Sequence, residues 1–338
     1  MSGMAVAAPP GERLRLDHNE RLFPAPELVR LLSQVPASAL TRYPEAAGLE
    51  AALGEAWDLD ADRVLLTAGA DDAIDRVCRR WLADGREMIT VTPTFEMIPA
   101  FATLAGGRVR SIPTLDDPAP LGPILDRIGE RTGLVGVISP HNPTGTVAPV
   151  ERILAIADSL PANAALLVDL AYVEFADRDP TRELLQRDNI LVVRTLSKAW
   201  GLAGLRTGFV LGPAAAIGDL RAGGAPFPLA GPSIWLAERA LALGDRVTAT
   251  YVAAVRRERE QLVSALLVSG AEPFESQANF VLASTDRAAA LYRGFRRRGI
   301  AIRRFPNFPD LVRITLPGDE ATFRHLLRVL DMTVGHIS

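Results

Sequence analysis

The feature that most constrains the fold is a regular alternation of short apolar runs with segments of helical length. The runs are mostly apolar, as in strands that are buried on both faces of a sheet. This alternation predicts an α/β fold with a mostly parallel sheet covered by helices on both faces. The seven runs occupy residues 64–66, 88–91, 109–112, 134–138, 165–168, 190–193 and 208–211.

The loop between the last two runs is too short for a full crossover helix, so the final strand is expected to run antiparallel. From about residue 212 the pattern changes. Residues 222–233 are rich in Gly and Pro and predict a hinge or an active-site loop. The continuous mixture of charged and apolar residues over 234–271 predicts one long helix between two domains.

The remaining C-terminal sequence predicts a smaller α/β domain, completed by the N-terminal arm. Its predicted elements are strands at 278–283 and 311–316 and helices at 287–298 and 320–330. Residues 1–12 are expected to form a flexible tail. The predicted domains are an N-terminal arm at 1–30 that joins the small domain, a large domain at 31–235 and a small domain at 236–338.

Composition excludes several classes of protein. A single cysteine, Cys78, excludes an internal disulfide, and the four histidines form no recognisable metal-ligand cluster. A net charge of −3 gives no general attraction to nucleic acid or to anionic membranes. No signal peptide and no apolar segment of membrane length is recognised. We therefore expect a cytoplasmic enzyme without a metal.

Lys198 is the only lysine among 37 basic residues. An arginine side chain stays protonated and cannot condense with an aldehyde, whereas a lysine amine can lose its proton and form a Schiff base. Lys198 follows the apolar run at 190–193 in a stretch of small residues. Because a leftover surface lysine is an equally simple explanation of the count alone, the surrounding residues must decide.

In open α/β sheets, ligands bind beyond the carboxyl ends of the strands. The residues that follow the predicted strands supply a helix N-terminus for a phosphate, an aromatic ring, an amide, a carboxylate, a phenol, hydroxyls, an amine and a guanidinium. This inventory matches pyridoxal 5′-phosphate group by group. In chain order, the residues are Ala70, Asp71, Phe95, Asn142, Asp169, Tyr172, Thr195, Ser197, Lys198 and Arg206.

The segments at 139–145, 169–172 and 197–208 resemble those of the class I and II aminotransferases, which have the aspartate-aminotransferase fold (fold type I of the pyridoxal-phosphate enzymes). The resemblance is closest to the histidinol-phosphate aminotransferase branch. It covers residues 17–330, and the Lys198 motif is its most specific part. Further matches lie at 41–44, 276–280 and 312–315.

The resemblance implies a role for each cofactor residue. Lys198 would bond the cofactor and shuttle a proton, while Asp169 would hold the pyridinium nitrogen. Asn142 and Tyr172 would contact the ring oxygen, and Phe95 would stack on the ring. The phosphate would be bound by the backbone amides of Ala70 and Asp71, by Ser197 and Arg206 with Thr195, and by Tyr43 of a neighbouring subunit, which implies a homodimer.

The resemblance also implies small-molecule substrates, an amino donor and a 2-oxo acid acceptor such as 2-oxoglutarate. Arg313 would pair with the α-carboxylate, and Arg303 lies where the branch that uses phosphorylated substrates has a second arginine. Asn19, in the arm beside the substrate, is a third candidate for substrate binding. The predicted donor is histidinol-phosphate-like or aromatic.

Alternatives remain for single residues and for the function. Asp169 and Asn142 can be turn residues, Tyr172 and Phe95 core residues, and the two arginines solvated cations. His141 and Leu170 stand where the family usually has Asn and Glu, which alters the cofactor surroundings.

Four other functions compete: a decarboxylase resembling threonine-phosphate decarboxylase, an aminotransferase of specialised-metabolite biosynthesis, a regulatory module without turnover and, least favoured, a nucleic-acid binder. No Gly-x-Gly-x-x-Gly follows a strand, which disfavours a dinucleotide enzyme.

Overall fold

The computed structural model describes residues 13–335, and the predicted tail at 1–12 lies outside this range. Within residues 13–335 the chain forms twelve strands and thirteen α-helices. The strands are β1 Leu14–Leu16, β2 Val64–Thr67, β3 Glu87–Thr92, β4 Arg108–Pro113, β5 Thr132–Ile138, β6 Ala165–Asp169, β7 Ile190–Thr195, β8 Gly208–Leu211, β9 Glu272–Pro273, β10 Phe280–Ser284, β11 Ile300–Phe305 and β12 Phe308–Thr315.

The helices cover both faces of the larger sheet and one side of the smaller one. They are α1 Pro26–Leu32, α2 Ser38–Thr41, α3 Ala47–Ala56, α4 Gly69–Trp81, α5 Met97–Leu104, α6 Leu121–Leu125, α7 Val150–Asp158, α8 Thr181–Leu184, α9 Ala214–Ala222, α10 Gly231–Leu243, α11 Asp245–Val268, α12 Ala288–Arg297 and α13 Glu320–Val334. In the described part of the chain, none of these helices is both long enough and apolar enough to cross a membrane.

The larger sheet has seven strands in the order β2-β8-β7-β6-β5-β3-β4. All seven predicted apolar runs are strands of this sheet. Strands β3 to β7 are parallel to one another, whereas β8 is antiparallel to both β7 and β2, as the short loop before it predicted. The carboxyl ends of β3, β5, β6 and β7 therefore meet at one edge of the sheet.

Alternate residues of these strands enter two separate cores. Leu166 and Val168 of β6 pack into the core on one face. Leu167, between them, packs into the core on the opposite face together with Ile74 and Val77 of α4. Burial on both faces explains why the runs are apolar at successive positions rather than at every second one. It also fixes the register of the sheet.

The smaller sheet has five strands in the order β1-β11-β12-β10-β9. The N-terminal arm supplies β1, which pairs in parallel with β11 through Leu16 and Ile302. Strand β11 was missed in the sequence because Arg303 and Arg304 interrupt its apolar alternation. Only Ile300 and Ile302, two positions apart, signalled a strand there.

The prediction of one helix over 234–271 is wrong. The segment forms α10 and α11, which are separated at Gly244. Gly244 has φ 56° and ψ −134°, a backbone conformation that side-chain-bearing residues rarely adopt. The glycine therefore ends α10 and lets α11 start in a new direction. The predicted Gly- and Pro-rich loop does occur, between the end of α9 and the start of α10.

Candidate active site

Polar side chains meet where the carboxyl edge of the larger sheet faces the smaller sheet. Asn142 follows β5, Asp169 ends β6, and Lys198 follows β7. From the other side, β12 contributes Arg313 and the N-terminal arm contributes Asn19. Parallel strands place their ends together, and the arm and β12 are held against that edge by the hydrogen bonds described next.

Asp169 is the buried carboxylate of this site, with 3% of its surface exposed. Its Oδ1 accepts a hydrogen bond of 2.9 Å from the backbone N–H of Ala171. The pKa of Asp169 is raised to about 6, chiefly by burial and also by Asp71, with the Ala171 bond and Lys198 acting in the opposite direction. A carboxylate at this depth is stabilised in its charged form by a cationic partner.

Lys198 lies in the loop after β7, half-buried. Its Nζ donates to the backbone oxygen of His18, 3.2 Å away. The same nitrogen lies 5.6 Å from the centroid of the Tyr172 ring. The amine of Lys198 is therefore held between the N-terminal arm and the Tyr172 ring. It lies close enough to Asp169 to lower the pKa of that carboxyl group.

Asn19 connects the arm to the phenol. Its Nδ2 donates to the Tyr172 hydroxyl at 3.0 Å, and its Oδ1 accepts from the Thr315 hydroxyl at 2.9 Å. The Asn279 amide donates to the Asn19 backbone oxygen at 3.1 Å. Asn19 is only 1% exposed and has φ 58°, which asparagine tolerates better than most residues. Nδ2 keeps a second N–H and Oδ1 a second lone pair, so the predicted substrate contact is compatible with these bonds.

Arg313 is buried, with 6% exposed. One terminal nitrogen donates to the Asn142 side-chain oxygen, the other to the backbone oxygen of Asp17 at 2.9 Å. Its Nε is buried with no hydrogen-bond partner among the described residues. The pKa of Arg313 is lowered to about 10, chiefly by burial and also by Arg303, whereas Tyr172 acts in the opposite direction. The guanidinium remains charged at neutral pH, and Nε is its one nitrogen without a hydrogen bond among the described residues.

Arg303 lies directly opposite Arg313 in the β11–β12 pairing. Directly opposite residues of antiparallel strands project to the same face. Arg303 Nη2 donates to Glu96 Oε1 at 2.8 Å. Glu96 follows the carboxyl end of β3, so this ion pair also spans the two sheets.

The predicted phosphate cradle surrounds the start of α4. Gly69, with φ 82°, opens the helix, and a Cβ there would meet the Arg206 guanidinium at 2.8 Å. Arg206 itself has φ 50° and bonds the Asp71 carboxylate at 3.1 Å. Nearby, the Thr195 hydroxyl donates to Ser197 Oγ at 2.9 Å and accepts from the Ser197 N–H at 3.1 Å. Thr195 thereby shapes the loop that presents Ser197.

The two aromatic residues predicted to contact the cofactor differ in their surroundings. Tyr43 is 78% exposed and stacks on Phe227, with ring centroids 4.5 Å apart. Phe95 is half-buried against the core that contains α4. The contact of Phe95 with the cofactor ring and that of Tyr43 with a neighbouring subunit therefore stay predictions.

His141 and Leu170, the departures from the family pattern, are both buried. The His141 Nδ1 lies 2.9 Å from the Thr144 hydroxyl, and its Nε2 has no partner within residues 13–335. Burial lowers the pKa of His141 to about 4, so the ring is neutral at physiological pH. Leu170 packs into the core of the larger domain's sheet, where an acid would be desolvated.

Glu96, Thr315 and Asn279 are the site residues that the sequence analysis missed. Thr315 and Asn279 lie inside the segments that carried the resemblance, so their proximity to the site was a usable signal. Glu96 had none, because its partner Arg303 lies 207 positions away.

The arrangement fits pyridoxal phosphate. The buried Asp169 carboxylate, with its raised pKa, suits a protonated pyridine nitrogen. The helix N-terminus, Ser197 and Arg206 suit a phosphate. Lys198 supplies the amine that an aldehyde requires. Each of these three groups lies at the same edge of the larger sheet.

Comparison with known proteins gives one family. Residues 15–330 match the model of the family described as aminotransferase class I and II. A histidinol-phosphate aminotransferase of Dinoroseobacter shibae is 34% identical over 325 residues, 93% of this chain and 89% of that protein.

Solved structures agree. Histidinol-phosphate aminotransferase from Sinorhizobium meliloti, in complex with pyridoxal-5′-phosphate, is 25% identical; the match covers 97% of this chain and 92% of that one, with a TM-score of 0.88. Aspartate aminotransferase from Thermus thermophilus with maleate, 24% identical over 95% and 92% of the two chains with a TM-score of 0.80, shows the fold alone.

The predicted fold and the predicted aminotransferase function are confirmed, and the decarboxylase alternative gains no support from these relatives. The chain belongs to the class I and II aminotransferases, a family that uses pyridoxal phosphate.

Proposed function

We propose that this chain transfers an amino group from histidinol phosphate, or a closely similar donor, to a 2-oxo acid such as 2-oxoglutarate. The observation that carries the proposal is the position of Lys198 Nζ between the arm, the Tyr172 ring and the buried Asp169 carboxylate. The names of the relatives support the donor.

Pyridoxal phosphate, when bound, supplies a ring that withdraws electrons from the donor carbon. The protein supplies the proton transfer: Lys198 Nζ accepts the proton from the donor Cα and later returns it. Asp169 keeps a positive charge on the pyridine nitrogen, which its buried carboxylate favours. Asn142 and Tyr172 orient the ring oxygen, and Asn19 fixes the Tyr172 hydroxyl.

The remaining predicted cofactor contacts stay part of the proposal. Phe95 stacks on the ring. The phosphate is bound by the backbone of Ala70 and Asp71, by Ser197 and by Arg206, with Thr195 positioning Ser197.

Arg313 and Arg303 form the proposed anion clamp for substrates. Histidinol phosphate carries a phosphate ester where an amino acid carries its carboxylate, and a pair of guanidinium groups on one sheet face can bind either anion. The unused Nε of Arg313 supports this role, because a buried donor without a partner is costly until a ligand satisfies it.

We also propose a homodimer in which Tyr43 reaches the phosphate site of the neighbouring subunit. Its support is a group of exposed apolar side chains close in sequence to Tyr43 or in contact with it, which are Val29, Leu32, Leu40 and Phe227. Large exposed apolar side chains that cluster are typical of interfaces.

The domain division at 1–30, 31–235 and 236–338 remains a proposal. The separate core around the smaller sheet supports a small domain, whereas Ala237, Ala240 and Val247, beyond the proposed boundary, pack into a core of the larger sheet. Limited proteolysis would test the division through cleavage near the domain boundaries.

Cytoplasmic location also stays a prediction, which cell fractionation would test.

A donor panel tests the function. The holoenzyme is incubated with 2-oxoglutarate and either histidinol phosphate, histidinol, histidine or phenylalanine, and glutamate is measured. The proposal expects the highest kcat/KM with histidinol phosphate. Release of CO₂ without glutamate supports the decarboxylase instead, preference for a plain amino acid removes the donor assignment, and no turnover with cofactor bound supports the regulatory module.

A further inference from the structure

The ion pair between Glu96 and Arg303 joins the two halves of the proposed substrate site. Glu96 lies just before α5, at the carboxyl end of β3 in the larger sheet. Arg303 belongs to β11 of the smaller sheet, and its Nη2 lies 2.8 Å from Glu96 Oε1. The pair therefore bridges the opening between the sheets.

The carboxylate of Glu96 also acts on the buried arginine beside it. Arg303 and Arg313 are directly opposed across β11 and β12. Glu96 raises the pKa of Arg313 while Arg303 lowers it, so all three charges act on the same small region. Glu96 is the member of this group that solvent reaches best, with 72% of its side chain exposed.

We propose that Glu96 is a specificity-determining residue, an internal anion that occupies Arg303 and that a substrate anion must displace. This inference rests on the proposed function. Glu96 competes with the substrate for Arg303. The phosphate ester or carboxylate of a donor binds Arg303 only after the Glu96 carboxylate leaves it. Donors without that anion leave the pair intact.

The exposure of Glu96 sets the size of the effect. Exposed ion pairs contribute at most about 1 kcal/mol, because water and salt screen them. Release of the Glu96 carboxylate is therefore inexpensive, and a phosphate with two charges and three acceptor oxygens competes well. Removal of the Glu96 charge should thus strengthen anion binding by roughly twofold to fivefold rather than by orders of magnitude.

The test uses Glu96→Gln, which keeps the shape of the side chain. Its control is Glu87→Gln, which removes the carboxylate of another Arg–Glu pair, with Arg110 at 2.9 Å, at the opposite end of β3. Holoenzyme is used so that the cofactor fills the predicted cradle. Inorganic phosphate is the probe, titrated by calorimetry and assayed as a competitive inhibitor of phenylalanine transamination.

The expected result is a dissociation constant and an inhibition constant for phosphate that are roughly twofold to fivefold lower in Glu96→Gln and unchanged in Glu87→Gln. The double variant Glu96→Gln with Arg303→Gln should lose the gain. The KM for histidinol phosphate should fall in parallel, with little change for histidinol, which carries no anion at that position.

An unchanged phosphate constant in Glu96→Gln, or a gain that survives the loss of Arg303, overturns the inference while leaving aminotransfer intact. If instead no donor is transaminated yet calorimetry shows the gain, the proposed function fails and the Glu96–Arg303 competition stands. The calorimetric readout separates the two results.

Discussion

The guanidinium of Arg313 donates a hydrogen bond to the side-chain oxygen of Asn142. The two residues are 171 positions apart; Arg313 lies in β12 of the smaller sheet and Asn142 in the loop after β5 of the larger one. This bond therefore joins the predicted substrate group to the predicted cofactor group. An arginine fork can keep one nitrogen on Asn142 while the others bind a substrate anion. The proposed anion clamp and the proposed cofactor site are therefore connected by a direct hydrogen bond.

Arg313→Lys tests that geometry because it keeps the charge and removes the fork. We expect kcat/KM for amino-acid donors to fall roughly 30-fold to 1000-fold, since truncating one partner of a buried charged pair costs about 2–4 kcal/mol. Steady-state kinetics measure the effect, with Arg110→Lys on the exposed Glu87 pair as the control. Equal kinetics in both variants would remove Arg313 from the site.

Asp169→Asn should change how the stability of the cofactor-free protein depends on pH. The folded-state pKa of Asp169 is about 6, above its ordinary 3.8, so the folded protein retains a proton that the unfolded chain has released. The stability contributed by this group is thus present below about pH 4 and is lost as pH rises to about 6.

At pH 7 the cofactor-free Asp169→Asn variant should therefore be more stable than the original chain, by up to roughly 3 kcal/mol. At pH 4 the difference should shrink towards zero. Urea unfolding at the two pH values measures it, and comparing variant with original cancels the titration of Glu258, whose pKa is also raised by burial. A difference independent of pH contradicts the assignment of a desolvated carboxylate.

Gly244→Ala should destabilise the break between α10 and α11 by roughly 1–3 kcal/mol, because alanine is strained at φ 56° and ψ −134°. No atom comes closer to the added methyl than Leu241 O at 3.9 Å, so the cost is that of the backbone alone. Gly218→Ala, inside α9 with nothing within 4 Å of the new methyl, should instead stabilise by about 0.5–1 kcal/mol. Thermal unfolding that ranks the two variants the other way would refute this explanation of the helix break.

Tyr43 can be tested by complementation between protomers. Tyr43→Ala and Lys198→Ala should each be nearly inactive as homodimers. In a mixed dimer, the Tyr43→Ala protomer keeps its own Lys198 and receives Tyr43 from its partner, so one site is intact. Recovery of activity in purified mixed dimers supports the shared site. Mixed dimers no more active than either parent mean that Tyr43 does not serve the neighbouring subunit.

The larger sheet was predictable because its strands are buried on both faces, which leaves apolar runs such as 134–138 that few other structures produce. The smaller sheet was less visible, since Arg303 and Arg304 occupy successive positions of β11, one on each face, and interrupt its apolar alternation. The helix break at Gly244 was missed because a single glycine within a helical pattern usually costs stability without ending the helix.

The same limits apply to the site. Residues that directly follow a strand, such as Asp169 and Lys198, could be placed because strand order fixes where they meet. Asn19 was placed near the substrate but not in its buried network, and Glu96 was not found. Their partners are distant in sequence, and no local pattern records a contact that only the packing of two sheets creates.

The most direct measurement of the central claim is to reduce the pyridoxal-phosphate-loaded protein with borohydride and to map the modified residue by mass spectrometry after trypsin digestion. Because Lys198 is the only lysine, its peptide is unambiguous. The account predicts that the cofactor is retained on one peptide spanning residues 195–206, uncleaved at Lys198. Cofactor found on another amine, or on no peptide, would contradict the role of Lys198.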